Sequence, residues 1–156
     1  MVMMSRVKKG IVAGFVATIA LSAVEAINLH FGWFEPFQSV LTSVIGLSGN
    51  EIAGWAIQFI GGIVILGGLF GYLYPKLPTD TPETKGIAFS VGVWSIVMAV
   101  IVLFGGLTSG SGFDGMAWQL GLHAVYGIII GNVYNRLVKR EKRRLAAGIA
   151  HGAPAV

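Results

Sequence analysis

The sequence contains no cysteine, which removes disulfides, thiolate metal sites, iron–sulfur clusters and a cysteine nucleophile together. Charge is nearly as scarce. Asp, Glu, Lys and Arg make up 12% of the 156 residues, where an ordinary soluble domain carries about 25%. With 54% hydrophobic residues and a mean hydropathy of +0.76, this argues against a soluble globular domain. It argues equally against a disordered chain, which needs low hydrophobicity and high charge. Reaction motifs are missing too: there is no HExxH, no Walker glycine loop and no GxSxG. Ser109-Gly110-Ser111-Gly112 reads as a short flexible loop, not a phosphate cradle.

What the chain has is apolar length. Four segments, Gly10–Leu29, Ile52–Leu73, Gly86–Leu107 and Gly115–Asn135, are long enough to cross a bilayer, which takes about 20 helical residues. The second and third contain no charge; Glu25 interrupts the first, and His123 is the one ionisable group in the fourth. None alternates in polarity as a barrel strand would. The ends carry helix signals: Ser48 and Glu51 as a capping box, Thr81-Pro82 as cap and first residue, Asp114 as a cap for the fourth span, and Tyr74-Pro75 as a stop.

All eleven Lys and Arg lie before the first span, between the second and third, or after the fourth. The positive-inside rule then places both termini and the middle loop in the cytoplasm. Trp33, Trp55 and Trp118 fall near the outer boundary, as an aromatic belt would. Residues 1–26 also fit a secretory leader with a cleavage site at Val24-Glu25-Ala26. The segment is read as the first span because an internal repeat needs it. Lys9-Gly10-Ile11 matches Lys85-Gly86-Ile87, and Gly62-Ile63-Val64-Ile65 matches Gly127-Ile128-Ile129-Ile130, which sets Gln58 against His123. The chain reads as two helical hairpins in parallel repeat.

Small residues mark packing faces. Gly10, Gly14, Thr18, Ser22 and Ala26 recur every four residues in the first span, and Gly62, Gly67 and Gly71 fall in the second. Gln119, His123, Gly127, Gly131 and Asn135 recur likewise in the fourth. Glu25, Gln58 and His123 lie at similar depth, within roughly 6–12 Å of the outer helix ends at the α-helical rise. They are expected to form one buried polar cluster, because ionisable groups in lipid face the interior and find partners. A hydrogen-bonded Glu25–His123 pair with Gln58 alongside would fix helix register. The same cluster could serve as a proton relay, a small-ligand pocket or a single-histidine haem site. Zinc needs three or four ligands, and Glu25 with His123 supplies two. No metal or cofactor is expected.

Residues 36–46 place Phe37, Val40, Leu41, Val44 and Ile45 on one face and read as a short outer interfacial helix lying on lipid, or else as a lid over the polar cluster. Arg136, Lys139, Arg140, Lys142, Arg143 and Arg144 are expected to continue the last helix and meet anionic lipid headgroups, not nucleic acid.

The pattern of Lys9-Gly10 with Ala13-Gly14, Gly54-Trp55 with Gly61-Gly62, Lys85-Gly86 with Trp94, and Leu122-His123-Ala124-Val125-Tyr126-Gly127 resembles an uncharacterised family of small bacterial four-helix membrane proteins, over about residues 8–137. The resemblance implies no activity. It does imply a His in the second span of many members, a position held here by Gln58.

The expectation is an all-α membrane protein of one bundle over 1–147, with four transmembrane helices at about 10–30, 51–74, 86–107 and 115–137, and a flexible tail at 148–156. Its expected setting is the bacterial inner membrane. Its expected role is a non-catalytic structural or accessory subunit of a larger membrane assembly, in contact with the lipid bilayer and with other membrane subunits or further copies of itself. The alternatives are a small transporter or proton conductor using Glu25 and His123, and a haem- or pigment-associated redox subunit.

Overall fold

The computed structural model describes residues 4–104 and 112–150. Helix α1 covers Arg6–Phe31. Ser5 caps it by accepting from the Lys8 N–H at 3.3 Å, and Gly32, at φ +64°, ends it in the left-handed conformation. The short α2, Phe37–Val44, follows Pro36. A second long helix comes next: α3 (Glu51–Phe59), a π-helical segment (Ile60–Leu66) and α4 (Gly67–Leu73), closed by a tight turn at Tyr74–Lys76 around Pro75. Helix α5, Pro82–Phe104, opens with Thr81 Oγ1 accepting from the Thr84 N–H at 3.2 Å. Helix α6 runs over Phe113–Ala150, 38 residues.

The helices start close to the expected places, with two caps corrected. Asn50, not Ser48, caps α3, its Oδ1 accepting from the Ala53 N–H at 3.0 Å. It stands directly before the first helical residue, where its carbonyl oxygen reaches the free donors of the first turn. Asp114 lies inside the first turn of α6, where its charge suits the helix dipole without capping it. Helix α6 holds to Ala150, three residues into the expected tail. The rest of that tail, 151–156, lies outside the described residues, as do residues 105–107 of the third span and the loop at 109–111.

Three helical stretches, Arg6–Phe31, Glu51–Lys76 and Pro82–Leu103, are long and apolar enough to cross a membrane. Helix α6 has the length, but it carries Gln119 and His123 along its face.

Helix α1 has two antiparallel neighbours. On one side its Gly10 and Gly14 meet α4 and the π-helical segment. On the other, Lys9 forms an ion pair with Glu141 of α6, and Glu25 lies beside Trp118 and Gln119 at the opposite end of the contact. Helix α5 packs along α6. Two glycine crossings hold these pairs. A Cβ on Gly10 would fall 2.8 Å from the Gly71 Cα and onto the Gly67 carbonyl; a Cβ on Gly86 would fall 2.6 Å from the Gly127 carbonyl carbon. Gly71 faces the Arg6 carbonyl as Gly131 faces that of Pro82. Gly10, Gly67 and Gly71 thus do in one pair what Gly86, Gly127 and Gly131 do in the other.

This register departs from the one read in the sequence, which set Gly62 against Gly127. The crossing is held by glycines four residues apart, 67/71 and 127/131. Gly62 lies in the π-helical segment, where the helical phase shifts. Gly86 was missing from the expected packing set, and Ser22 acts there through a hydrogen bond instead of close approach.

Beside the crossings sits an aromatic core. Phe70 is fully buried against Phe89, Tyr74 and Tyr134, and the Tyr74 and Tyr134 rings stand 4.4 Å apart. It fills the half of the bundle nearest the N-terminus.

Candidate functional site

The other half is not filled. A cavity of about 200 Å³ opens between α1, the α3–π-helical stretch, α5 and α6, with α2 folded across it. Glu25, Gln58 and His123 all stand in its wall, with Thr18, Gln119 and Tyr126 as further polar members. The three expected residues therefore share one space, but they are not bonded to one another. Each has its own support.

Glu25 is 2% exposed. Its Oε2 accepts from the Asn28 amide at 3.2 Å, one turn along α1, while its Oε1 is buried without a donor. Asn28, itself fully buried, also donates to the Phe34 carbonyl at 3.1 Å and accepts from the Phe34 N–H at 3.0 Å. That pair of hydrogen bonds to the Phe34 backbone folds the chain back after α1 and aims α2 over the cavity. The Phe34 ring stacks on Trp118 at 4.9 Å, and Gln119 donates to the Glu35 carbonyl at 3.4 Å, so α6 grips the same turn.

Gln58 donates to Ser22 Oγ at 3.1 Å and accepts from the Gln38 amide of α2. Gln38 and Thr42 of α2 are buried, Thr42 Oγ1 donating to the Gln38 carbonyl at 2.9 Å. Phe37 and Leu41, on the apolar face, look into the cavity. Helix α2 thus covers the cluster, as the alternative reading of this segment expected. Its polar side finds partners on α3, and close contact there is possible because Gly54 meets the Gln38 Cβ.

His123 is half-buried, with the Phe37 ring edge-on at 5.5 Å and Trp94 at 6.5 Å. Its Nδ1 lies 2.9 Å from the Gln119 carbonyl oxygen. A carbonyl only accepts, so Nδ1 carries the proton and the neutral ring keeps its lone pair on Nε2. Below it, the Tyr126 hydroxyl donates to the Gly62 carbonyl at 2.6 Å. That carbonyl also receives the Gly67 N–H, five residues on. The Gly62 carbonyl is thus shared between the i→i+5 ladder and a side chain of α6, at the wall of the cavity.

Sequence reasoning missed Asn28, Gln38 and Tyr126. Asn28 lay one turn after Glu25, at the spacing of facing side chains, which was the available signal. Gln38 offered none, because a polar residue on a short amphipathic helix reads as water-facing.

The basic residues Arg136, Lys139, Arg140, Lys142, Arg143 and Arg144 are all exposed along α6 past the aromatic core. Glu141 among them turns inward to Lys9 and accepts from the Met4 N–H at 2.9 Å. The Lys9 ammonium holds the Glu141 carboxyl below the ordinary carboxylate range. Among the described residues, no three His, Cys, Asp or Glu side chains come together as metal ligands. His30, which a two-histidine haem would need, is not in the cavity wall.

No curated protein and no solved structure shows significant similarity to this chain. A family model described as a family of unknown function (DUF6789) matches residues 4–145, which takes in the whole cavity wall, and the chain belongs to that family.

Proposed function

We propose that this is a four-span membrane protein, with both termini and the 76–85 connection on the cytoplasmic side, whose working part is the cavity: a non-catalytic site for a small molecule drawn from the membrane. Helix α6 lies against α1 from Trp118 to Glu141, a length of about 35 Å at the α-helical rise, matching a bilayer core. Gln119, His123 and Tyr126 face the cavity, and Asn132 returns its amide to the Ile128 carbonyl of its own helix. The matching glycine crossings support two hairpins in parallel repeat. The exposed basic run then lies at the cytoplasmic headgroups, in the inner membrane if the source is bacterial.

One observation carries the binding reading. Glu25, almost wholly buried, walls a cavity and leaves one carboxyl oxygen without a donor. A buried acceptor without a partner costs about 1–3 kcal/mol, and a bound molecule with a donor would recover that. Conduction of protons is less well supported. The Ser22–Gln58–Gln38 string leads toward α2, while Phe70, Phe89 and Tyr134 fill the way to the other end.

Native mass spectrometry of the protein released from mild detergent tests the binding reading. A bound small molecule that Leu66→Trp excludes from the cavity supports it; a bare chain that also takes up no added apolar probe overturns it.

A second reading, an accessory subunit or homo-oligomer, draws on glycines that the fold leaves unused. A Cβ on Gly61, Gly92, Gly115 or Gly121 would meet nothing within 4 Å. Cross-linking in native membranes between α5 and another chain supports it, and a lone monomer in both membrane and detergent counts against it.

A further inference from the structure

We propose that the cavity takes a hydroxyl-bearing aromatic ring, the head of an alkylphenol or hydroquinone lipid, whose apolar tail leaves toward the bilayer between α5 and the π-helical segment. This rests on the cavity being a binding site and names the class of its ligand.

Size comes first. A cavity of about 200 Å³ exceeds the roughly 150 Å³ that holds a benzene, so a substituted ring fits. A phospholipid does not.

The hydrogen-bonding complement comes next. Glu25 Oε1 has no hydrogen-bond donor: the Asn28 amide donates to Oε2, the Gln119 amide to the Glu35 carbonyl, and the nearby Trp118 indole N–H is itself unpaired. His123 donates through Nδ1 to Gln119 and so presents the Nε2 lone pair. Two acceptors in one wall call for a ligand that donates. Phenolic hydroxyls do, whereas ethers and quinone carbonyls do not.

The remaining wall suits the ring. Phe37, Leu41 and Leu122 supply apolar and aromatic surface beside His123.

Finally there is a way out for the tail. Helix α5 packs along α6 and stands off the π-helical segment. The cavity's flank there is Gly61 and Ile65 on one side, Val93 and Val97 on the other, and Ile65 is 59% exposed. An all-apolar flank on the lipid-facing side would exclude a water-borne ligand and admit a hydrocarbon chain.

The test uses the full chain in detergent, with 4-hexylphenol and 4-hexylanisole as probes, read by calorimetry and by thermal shift. The phenol should bind at one site and at least about tenfold more tightly than the ether, the range of a hydrogen bond to a charged or buried acceptor. Glu25→Gln and His123→Phe should each bring the phenol close to the ether's affinity. Gly61→Phe, where a side chain has open space, should weaken both probes by closing the flank. It leaves the polar groups in place, so it remains informative if the other variants do not fold. Equal one-site binding of phenol and ether overturns the ligand class and leaves the binding reading standing. Saturable binding of neither probe overturns the class; bare wild-type protein in native mass spectrometry would overturn the binding reading as well. Undiminished binding in folded Gly61→Phe overturns the proposed exit.

Discussion

Around Gly86 and Gly127 the backbones of α5 and α6 touch. Eight residues on along α5 and four back along α6, the contact passes to side chains, Trp94 and His123, with a cavity beside them. Helix α1 shows the same change, from backbone contact at Gly10 and Gly14 to side chains that reach across at Ser22 and Glu25. In the bilayer setting proposed above, helices gain little from the hydrophobic effect on meeting each other, and close van der Waals approach must do the work. The half of the bundle near the termini uses that approach and is tightly closed. The half under α2 has one such approach, at Gly54 and Gln38, and is otherwise joined by side-chain hydrogen bonds around a space left open.

The largest test of this contrast is a matched pair of glycines. Gly86→Ala forces a methyl into the Gly127 carbonyl, and neither backbone can yield. We expect a loss of about 3 kcal/mol, the upper end for overpacking, in reversible unfolding from mixed micelles. Gly61→Ala has open space and should be neutral or stabilising by up to about 1 kcal/mol. Equal effects would erase the distinction between the halves.

Next is Asn28→Ala, which strips Glu25 Oε2 and the Phe34 backbone of their partners. The expected cost is about 2 kcal/mol, with faster hydrogen exchange across 33–44 and unchanged exchange near Gly10. Uniform loosening would show that the halves are not separable.

Tyr126→Phe removes one hydroxyl from the Gly62 carbonyl. Interhelical hydrogen bonds in membranes average about 0.6 kcal/mol, and we expect about 1 kcal/mol with the π-helical segment reverting toward α-helix in amide infrared spectra.

The smallest effect is at the closed end. The Glu141 carboxyl is held below its ordinary value of 4.5 by Lys9. A lowered folded-state value stabilises the protein above pH 4.5, and that contribution fades as pH falls through the folded-state value. Glu141→Gln should flatten the stability profile below pH 4.5 and leave the cavity's probe binding unchanged at pH 7.

Much of the plan was legible. Uninterrupted apolar runs mark helices of bilayer length, and the common depth of Glu25, Gln58 and His123 marks where they meet. The orientation of α2 was not legible: Phe37 and Leu41 are apolar whether they face acyl chains or a cavity. Nor was the π-helical segment, because Ile60–Leu66 is as apolar as any span and the hydroxyl that meets its Gly62 carbonyl comes from α6, far along the chain. Two repeats of Gly-Ile strings suggested a register that the contacts correct, since strings record composition and a crossing records which glycines meet.

The amino-acid sequence alone determined the rods, their lengths and the charged ends that keep those ends in water, because the transfer of apolar and charged groups depends on residue type. Only the tertiary structure decided which side of each rod faces a neighbour, the outside or an empty space. Bilayer and protein interior are equally apolar, so hydropathy cannot separate them; close glycine contacts and the pairing of Asn28, Gln38 and Gln58 can.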